Sequence, residues 1–179
     1  MKAILYSILA VVGLLLIAFV CGFFMPEHWQ AVATKTIQAP PAAVHAWLDD
    51  TRRWPEWTPW DKAKDPAVTY GASGSVQGVG AVFTWESEKL GQGTLTLTKS
   101  DPATGVSYDL VLRGAERPSH GQILLQPEGS GTRVTWTDGG DLGTNPIARL
   151  FRGVTERVLA VEFDLGLTKL KSLVEAKKD

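Results

Sequence analysis

The side chains able to do chemistry in this sequence are few and scattered. There are three histidines, His28, His45 and His120, and one cysteine, Cys21. No two histidines stand at the close spacing of a zinc motif, and no histidine pair with a carboxylate marks an iron site. A single cysteine excludes an intramolecular disulfide and any cysteine-based metal site. The expectation is therefore no metal and no cofactor. Gly78-Val79-Gly80 lacks the third glycine and the following helix of a dinucleotide loop, and reads as the start of a strand. No G-x-S-x-G elbow occurs. Glu86, Asp109 and Arg113 would face an interior only if the strand faces were reversed, so no catalytic residue is identified. Tyr108 is the best polar candidate, because its ring falls on an inward strand position and its hydroxyl could bond a ligand.

Aromatic residues carry more information. Of seven tryptophans, Trp54, Trp57 and Trp60 repeat every third residue, with Pro55 and Pro59 disfavouring a regular α-helix. A conformation with three residues per turn would put all three rings on one face. Phe83 and Trp85 share one face of a strand, as do Val106, Tyr108, Leu110 and Leu112, and then Val134 and Trp136. Taken singly, each ring is a core residue before it is anything else.

The elements that must position these residues follow from periodicity. A strand is expected over residues 30–38, and Pro40-Pro41 opens a short helix over 42–49, proline being tolerated in a first helical turn. Residues 51–66, rich in tryptophan and proline, carry no regular element. Period-two runs then predict strands at 67–70, 80–88, 93–100, 106–113, 121–127 and 133–138, separated by glycine, proline and aspartate breaks that suit an antiparallel meander. Asn145 is an N-cap and Pro146 a first helical residue. Ile147, Leu150, Phe151, Val154 and Val158 recur at helical spacing, and Phe163, Leu167, Leu170 and Val174 continue the stripe. Gly153 and Gly166 reduce bulk on this helix or allow a bend near Ala160.

Residues 3–24 contain no charge and no proline. Such a run reaches roughly 33 Å as a helix, against a hydrocarbon core of roughly 30 Å. Tyr6 and Trp29 bracket it, as aromatic residues do at membrane interfaces. A cleaved signal peptide would have a shorter apolar region, and the one A-x-A pattern, Ala31-Val32-Ala33, lies inside the first strand. Cys21 is preceded by Val20, where lipid attachment calls for a small residue. An uncleaved transmembrane anchor over residues 1–26 is thus expected, with a single domain over 27–179. Lys2 and the free amine precede the run, which places the N-terminus in the cytoplasm and the domain outside the cell membrane. With 18 basic and 19 acidic residues and a net charge of −1, there is no electrostatic footprint for nucleic acid.

Strand, short helix, tryptophan-rich segment, six strands and a long closing helix define an α+β architecture: a curved antiparallel sheet of about seven strands wrapped on the C-terminal helix. In this order the sequence resembles the START-like helix-grip superfamily, also called SRPBCC, which includes polyketide cyclases and lipid-transfer domains. The likeness rests on Ile37-Gln38-Ala39-Pro40-Pro41-Ala42-Ala43-Val44, Trp54-Pro55-Glu56-Trp57-Thr58-Pro59-Trp60, Gly78-Val79-Gly80-Ala81 leading to Trp85, residues 132–136, and Glu162-Phe163-Asp164-Leu165-Gly166-Leu167 with Leu170-Lys171. The resemblance implies a deep apolar cavity between sheet and helix. Its expected lining is Trp54, Trp57, Trp60, Phe83, Trp85, Tyr108, Trp136 and Phe151. One fold hosts many activities, so chemistry does not follow from the likeness.

Two classes of function result. A membrane-anchored binding or carrier domain for a hydrophobic small molecule or lipid needs only the cavity. A polyketide cyclase- or dehydratase-like enzyme also needs an acid–base pair, which the sequence does not identify, so binding is preferred. A structural or partner-binding module of an envelope complex is the third option.

Overall fold

The computed structural model describes residues 2–115 and 117–176. Helix α1 spans Lys2–Gly22 and is the one helix among the described residues that is long and apolar enough to cross a membrane. Its side chains are almost all exposed, and Gly22 alone is buried against the rest of the chain.

Seven strands follow: β1 (His28–Ile37), β2 (Thr69–Gly74), β3 (Ala81–Ser87), β4 (Gly91–Asp101), β5 (Gly105–Leu112), β6 (Ser119–Glu128) and β7 (Gly131–Asp141). They form one sheet in the order β1-β7-β6-β5-β4-β3-β2, antiparallel at every pairing. Consecutive strands are neighbours from β2 to β7, as short turns require, and β1 closes onto β7. Helix α2 (Pro41–Leu48) starts at the tandem prolines, and a 3₁₀ turn (Thr51–Arg53) leads into a single helical turn, α3 (Trp54–Trp57). The chain closes with α4 (Pro146–Leu150) and α5 (Arg152–Glu175). As expected, the Asn145 side chain caps α4, accepting from the amides of Ile147 and Ala148.

Four details differ from the sequence expectation. Trp54–Trp57 is α-helical, because Pro55 sits in its first turn where no amide is needed. Strand β2 covers Thr69–Gly74, overlapping the expected 67–70 at Thr69 and Tyr70 and running on through Gly71; Gly71 lies against Thr84 of the paired strand, where a side chain would collide. The closing helix is interrupted at Phe151, whose ψ of 1° leaves the helical region, and not near Ala160. Finally, the apolar residues of the closing helix form two stripes. Phe163, Leu167, Leu170 and Val174 are buried, whereas Ile147, Phe151, Val154 and Val158 are exposed. Five residues separate Val158 from Phe163, a rotation of roughly 140° beyond one turn, so the two sets cannot share a face.

The core lies between the inner face of the sheet and α5. The period-two residues of β3 to β7 are buried in register: Phe83 and Trp85, Leu95 and Leu97, Val106 and Tyr108, Ile123 and Leu125, Val134 and Trp136. Gly166 lets α5 approach closely, since a methyl there would meet the Trp136 ring and the Trp57 carbonyl at 3.0 and 3.2 Å. Trp136 in turn stacks on Phe163, with centroids 4.2 Å apart and planes within 12°.

Candidate functional site

At the end of the sheet nearest α1 and α4 the core is hollow. A cavity of about 470 Å³ is walled by Leu110 and Leu112 of β5, Ser119 of β6 and Asp138 of β7. Ala148 of α4 and Thr155, Leu159 and Phe163 of α5 form the opposite wall, with Trp29, Trp60 and Leu142 completing it. The lining is mostly apolar, with a few polar groups placed within it, as in small-molecule sites. Arg117, bonded to Asp141 at 2.5 Å, also borders this space.

The polar feature of this wall is a buried chain of hydrogen bonds. The Trp136 Nε1–H donates to the Tyr108 hydroxyl at 2.8 Å, and that hydroxyl donates to Asp138 Oδ2 at 2.8 Å. Asp138 is 2% exposed, and its other oxygen, Oδ1, has no hydrogen-bond partner among the described residues. Burial pushes the Asp138 carboxyl above the usual aspartate range; Tyr108, Ser119, the Gly139 amide and His120 pull it part of the way back. Burial, with the Asp138 charge next, pushes the Tyr108 phenol well above its ordinary value, so it stays protonated and remains the donor. Gly121 makes the arrangement possible: it pairs with Tyr108 across β5 and β6, and a methyl on it would overlap the tyrosine ring. A carboxyl held toward its neutral form in an apolar wall can donate a hydrogen bond, or a proton, to a bound oxygen.

Of the eight residues read from the sequence as a cavity lining, Trp60 borders the cavity. It stacks on Trp85 at 4.4 Å. Trp54, Trp57, Phe83, Trp85, Tyr108 and Trp136 are each at most 2% exposed and pack on one another in the solid part of the core. Two of these act on the wall from behind, Trp136 through its stack on Phe163 and Tyr108 through its bond to Asp138. Phe151 stands outside the cavity, 59% exposed at the joint between α4 and α5. The residue that sequence reasoning passed over is Asp138. Its signal was present: it lies two residues beyond Trp136 and four beyond Val134, in phase with the inward face.

Other clusters do not assemble a reactive centre. His45, Ser100 and Asp49 meet at the edge of α2, with His45 Nε2 2.9 Å from the Ser100 oxygen. The serine hydroxyl donates to Asp49, however, so its proton is directed to the carboxylate and not to the histidine. His120 Nδ1 and Asp109 Oδ1 are 2.7 Å apart on the exposed side of the sheet, where a broad hollow of about 1130 Å³ is lined by His28, Gln30, Asp109, His120 and Gln122. No group of three or more metal-ligating side chains comes together among the described residues.

Residues 28–175 match the family described as polyketide cyclase / dehydrase and lipid transport. The chain belongs to this family. No curated protein matches it. Among solved structures it is similar to a protein from Thermobifida fusca, with a TM-score of 0.61 and 16% identity over 83% of this chain and 95% of that one. It is also similar to a protein from Chromobacterium violaceum (TM-score 0.59, 14% identity, 82% and 96% covered) and to one from Thermus thermophilus (TM-score 0.58, 18% identity, 84% and 99% covered). At these identities the likeness is one of fold. These structures share the sheet-and-helix frame around which this chain builds its cavity.

Proposed function

We propose that this family member is a membrane-anchored binding or carrier domain for a hydrophobic small molecule or lipid. The observation that carries the reading is the apolar cavity between β5, β6, β7, α4 and α5, with one buried carboxyl in its wall. Its volume suits a drug-sized or short-chain lipophilic molecule. Asp138 Oδ1, which has no hydrogen-bond partner among the described residues, is the polar contact, and the raised carboxyl favours a ligand that offers a neutral acceptor such as a carbonyl or hydroxyl oxygen. Helix α1 is the anchor, Met25 to Glu27 the tether, and the domain lies outside the cytoplasm. Arg149 ties α4 to that tether, donating to the carbonyls of Phe23 and Met25 and to Glu27. Trp57, Trp85, Trp136, Phe83 and Trp54 act through the shape of the wall rather than by touching the ligand.

The raised carboxyl also supports a second reading, acid catalysis of a cyclase or dehydratase type. Asp138 would protonate a departing or enolising oxygen of the same ligand. One experiment separates the readings. Native mass spectrometry of the detergent-extracted chain identifies what co-purifies, and the compound is then returned to ligand-free protein. Binding that is unchanged in mass after prolonged incubation, and weakened in Asp138→Leu, supports a carrier. Conversion that is lost in Asp138→Asn supports the enzyme. Failure to retain any apolar compound from a broad library would refute both.

A further inference from the structure

Helix α5 has an outward face of the wrong polarity for water. Its buried stripe, Phe163, Leu167, Leu170 and Val174, looks into the core. Its two flanks are charged and paired: Asp164 with Lys35 at 2.8 Å on the β1 side, and Glu162 and Lys169 with Lys64 and Asp61 on the side of the tryptophan-rich segment. The remaining face, opposite the core, should be polar in a soluble domain. It carries Val154, Val158, Val161 and Leu165 instead, each more than half exposed. At 100° per residue these four fall within an arc of roughly 60° and run for roughly 16 Å. Ile147 of α4 and Phe151 at the joint between the two helices, also more than half exposed, extend the stripe toward α1. Scattered exposed apolar residues need no explanation, but a contiguous stripe of six does.

Its position says what covers it. Gly22, the last residue of α1, packs so tightly on Pro146, the first of α4, that a side chain there would overlap the Pro146 carbonyl. The stripe therefore starts where the anchor ends, and its apolar surface is continuous with the exposed surface of α1. It also fades with distance from the anchor: the next positions on the same face are Thr168 and Ser172, both exposed. Arg157 is exposed beside its near half, where its stem can cover apolar surface while the guanidinium group reaches phosphate. We infer that the Ile147–Leu165 face of α4 and α5 lies on the bilayer, buried to interfacial depth beside the anchor. The inference rests on the reading of α1 as a membrane span. It gives the cavity a direct relation to lipid, because Ala148, Thr155 and Leu159 of the same two helices line the cavity from the other side.

The test uses the full chain in nanodiscs of phosphatidylcholine and phosphatidylglycerol. A nitroxide is placed at Cys21 in the native chain, and in a Cys21→Ser background at Val158→Cys or Ser172→Cys. Collisions with dissolved oxygen and with a water-soluble nickel chelate are then compared. The expected result is that the Val158 and Cys21 sites lose most nickel collisions on reconstitution and gain oxygen collisions, while the Ser172 site keeps its nickel collisions. A Val158 site open to nickel, with Cys21 protected, overturns the docking inference and leaves the anchor standing. If Cys21 is open as well, the anchor reading itself fails. Protection of Val158 that disappears when each nanodisc holds a single copy would mean that a second chain, not lipid, covers the face, and this also overturns the inference.

Discussion

Replacing Tyr108 with phenylalanine tests whether the buried hydrogen-bond chain is a structural commitment of this domain. The ring is 1% exposed and Tyr108→Phe keeps it, so the packing against Trp54 is retained. What is lost is one oxygen that accepts from Trp136 and donates to Asp138. Two buried polar groups are then left without that partner, each costing about 1–3 kcal/mol, so the variant should lose about 2–6 kcal/mol. At an m-value of about 2 kcal/mol/M, a loss of about 3 kcal/mol lowers the urea midpoint by about 1.5 M. The assay is urea unfolding of the detergent-solubilised chain followed by tryptophan emission. Asp138→Asn provides the pH-resolved companion. Burial raises the folded-state pKa of Asp138 above its unfolded value of about 3.9. The folded state therefore binds this proton more tightly than the unfolded one, and wild-type stability is lost as pH rises from that unfolded value through the folded one. An asparagine does not titrate. Asp138→Asn should thus gain on the wild type as pH rises from about 4 through the folded-state value and then level off, and Tyr108→Phe should be costly on both sides of that step. A Tyr108→Phe loss below about 0.5 kcal/mol, with parallel pH profiles for wild type and Asp138→Asn, would refute the reasoning.

Leu170 is fully buried on the core face of α5, so Leu170→Asp should cost about 4 kcal/mol or more by placing an unpaired charge there, seen as loss of a cooperative thermal transition. Gly121→Ala should displace the Tyr108 ring and cost about 1–3 kcal/mol, with calorimetry as the check. Trp136→Leu should be far more destabilising than Trp60→Leu, by about 2 kcal/mol in urea unfolding, because Trp136 is fully buried and Trp60 is not. Titration with the co-purifying compound should show the reverse order for binding. A compartment-sensitive reporter fused after Asp179 should be active only outside the cytoplasm, and activity only inside would reverse the proposed topology.

The frame of this protein was legible in its sequence because frames are made by local periodicity. Alternation along residues 106–112 and 133–138 is enough to place Tyr108 and Trp136 on an inner face, whichever strands lie beside them. The Asn145–Pro146 cap and the spacing of Phe163, Leu167, Leu170 and Val174 likewise announce a helix with one face committed to a core. The uncharged run before Pro26 needs no neighbours to be read as a membrane-spanning length. What periodicity reports is the face on which a side chain lies, not what stands opposite it. Whether an inward ring meets another ring or a void depends on the depth at which α5 crosses the sheet. That depth is decided by contacts such as Gly166 against Trp136 and Trp57, more than a hundred residues apart in the second case. Tertiary structure therefore moved six of the expected lining residues into the solid core, left Trp60 at the cavity and put Phe151 outside. It also decided which apolar stripe of the closing helix is buried: the five-residue step from Val158 to Phe163 already sets the two stripes apart, but helical spacing does not say which of them meets the sheet. Asp138 was in phase with the inner face all along. Only folding shows that burial among apolar side chains raises its carboxyl, while the Tyr108 hydroxyl across the sheet, donating to it, holds back part of that rise.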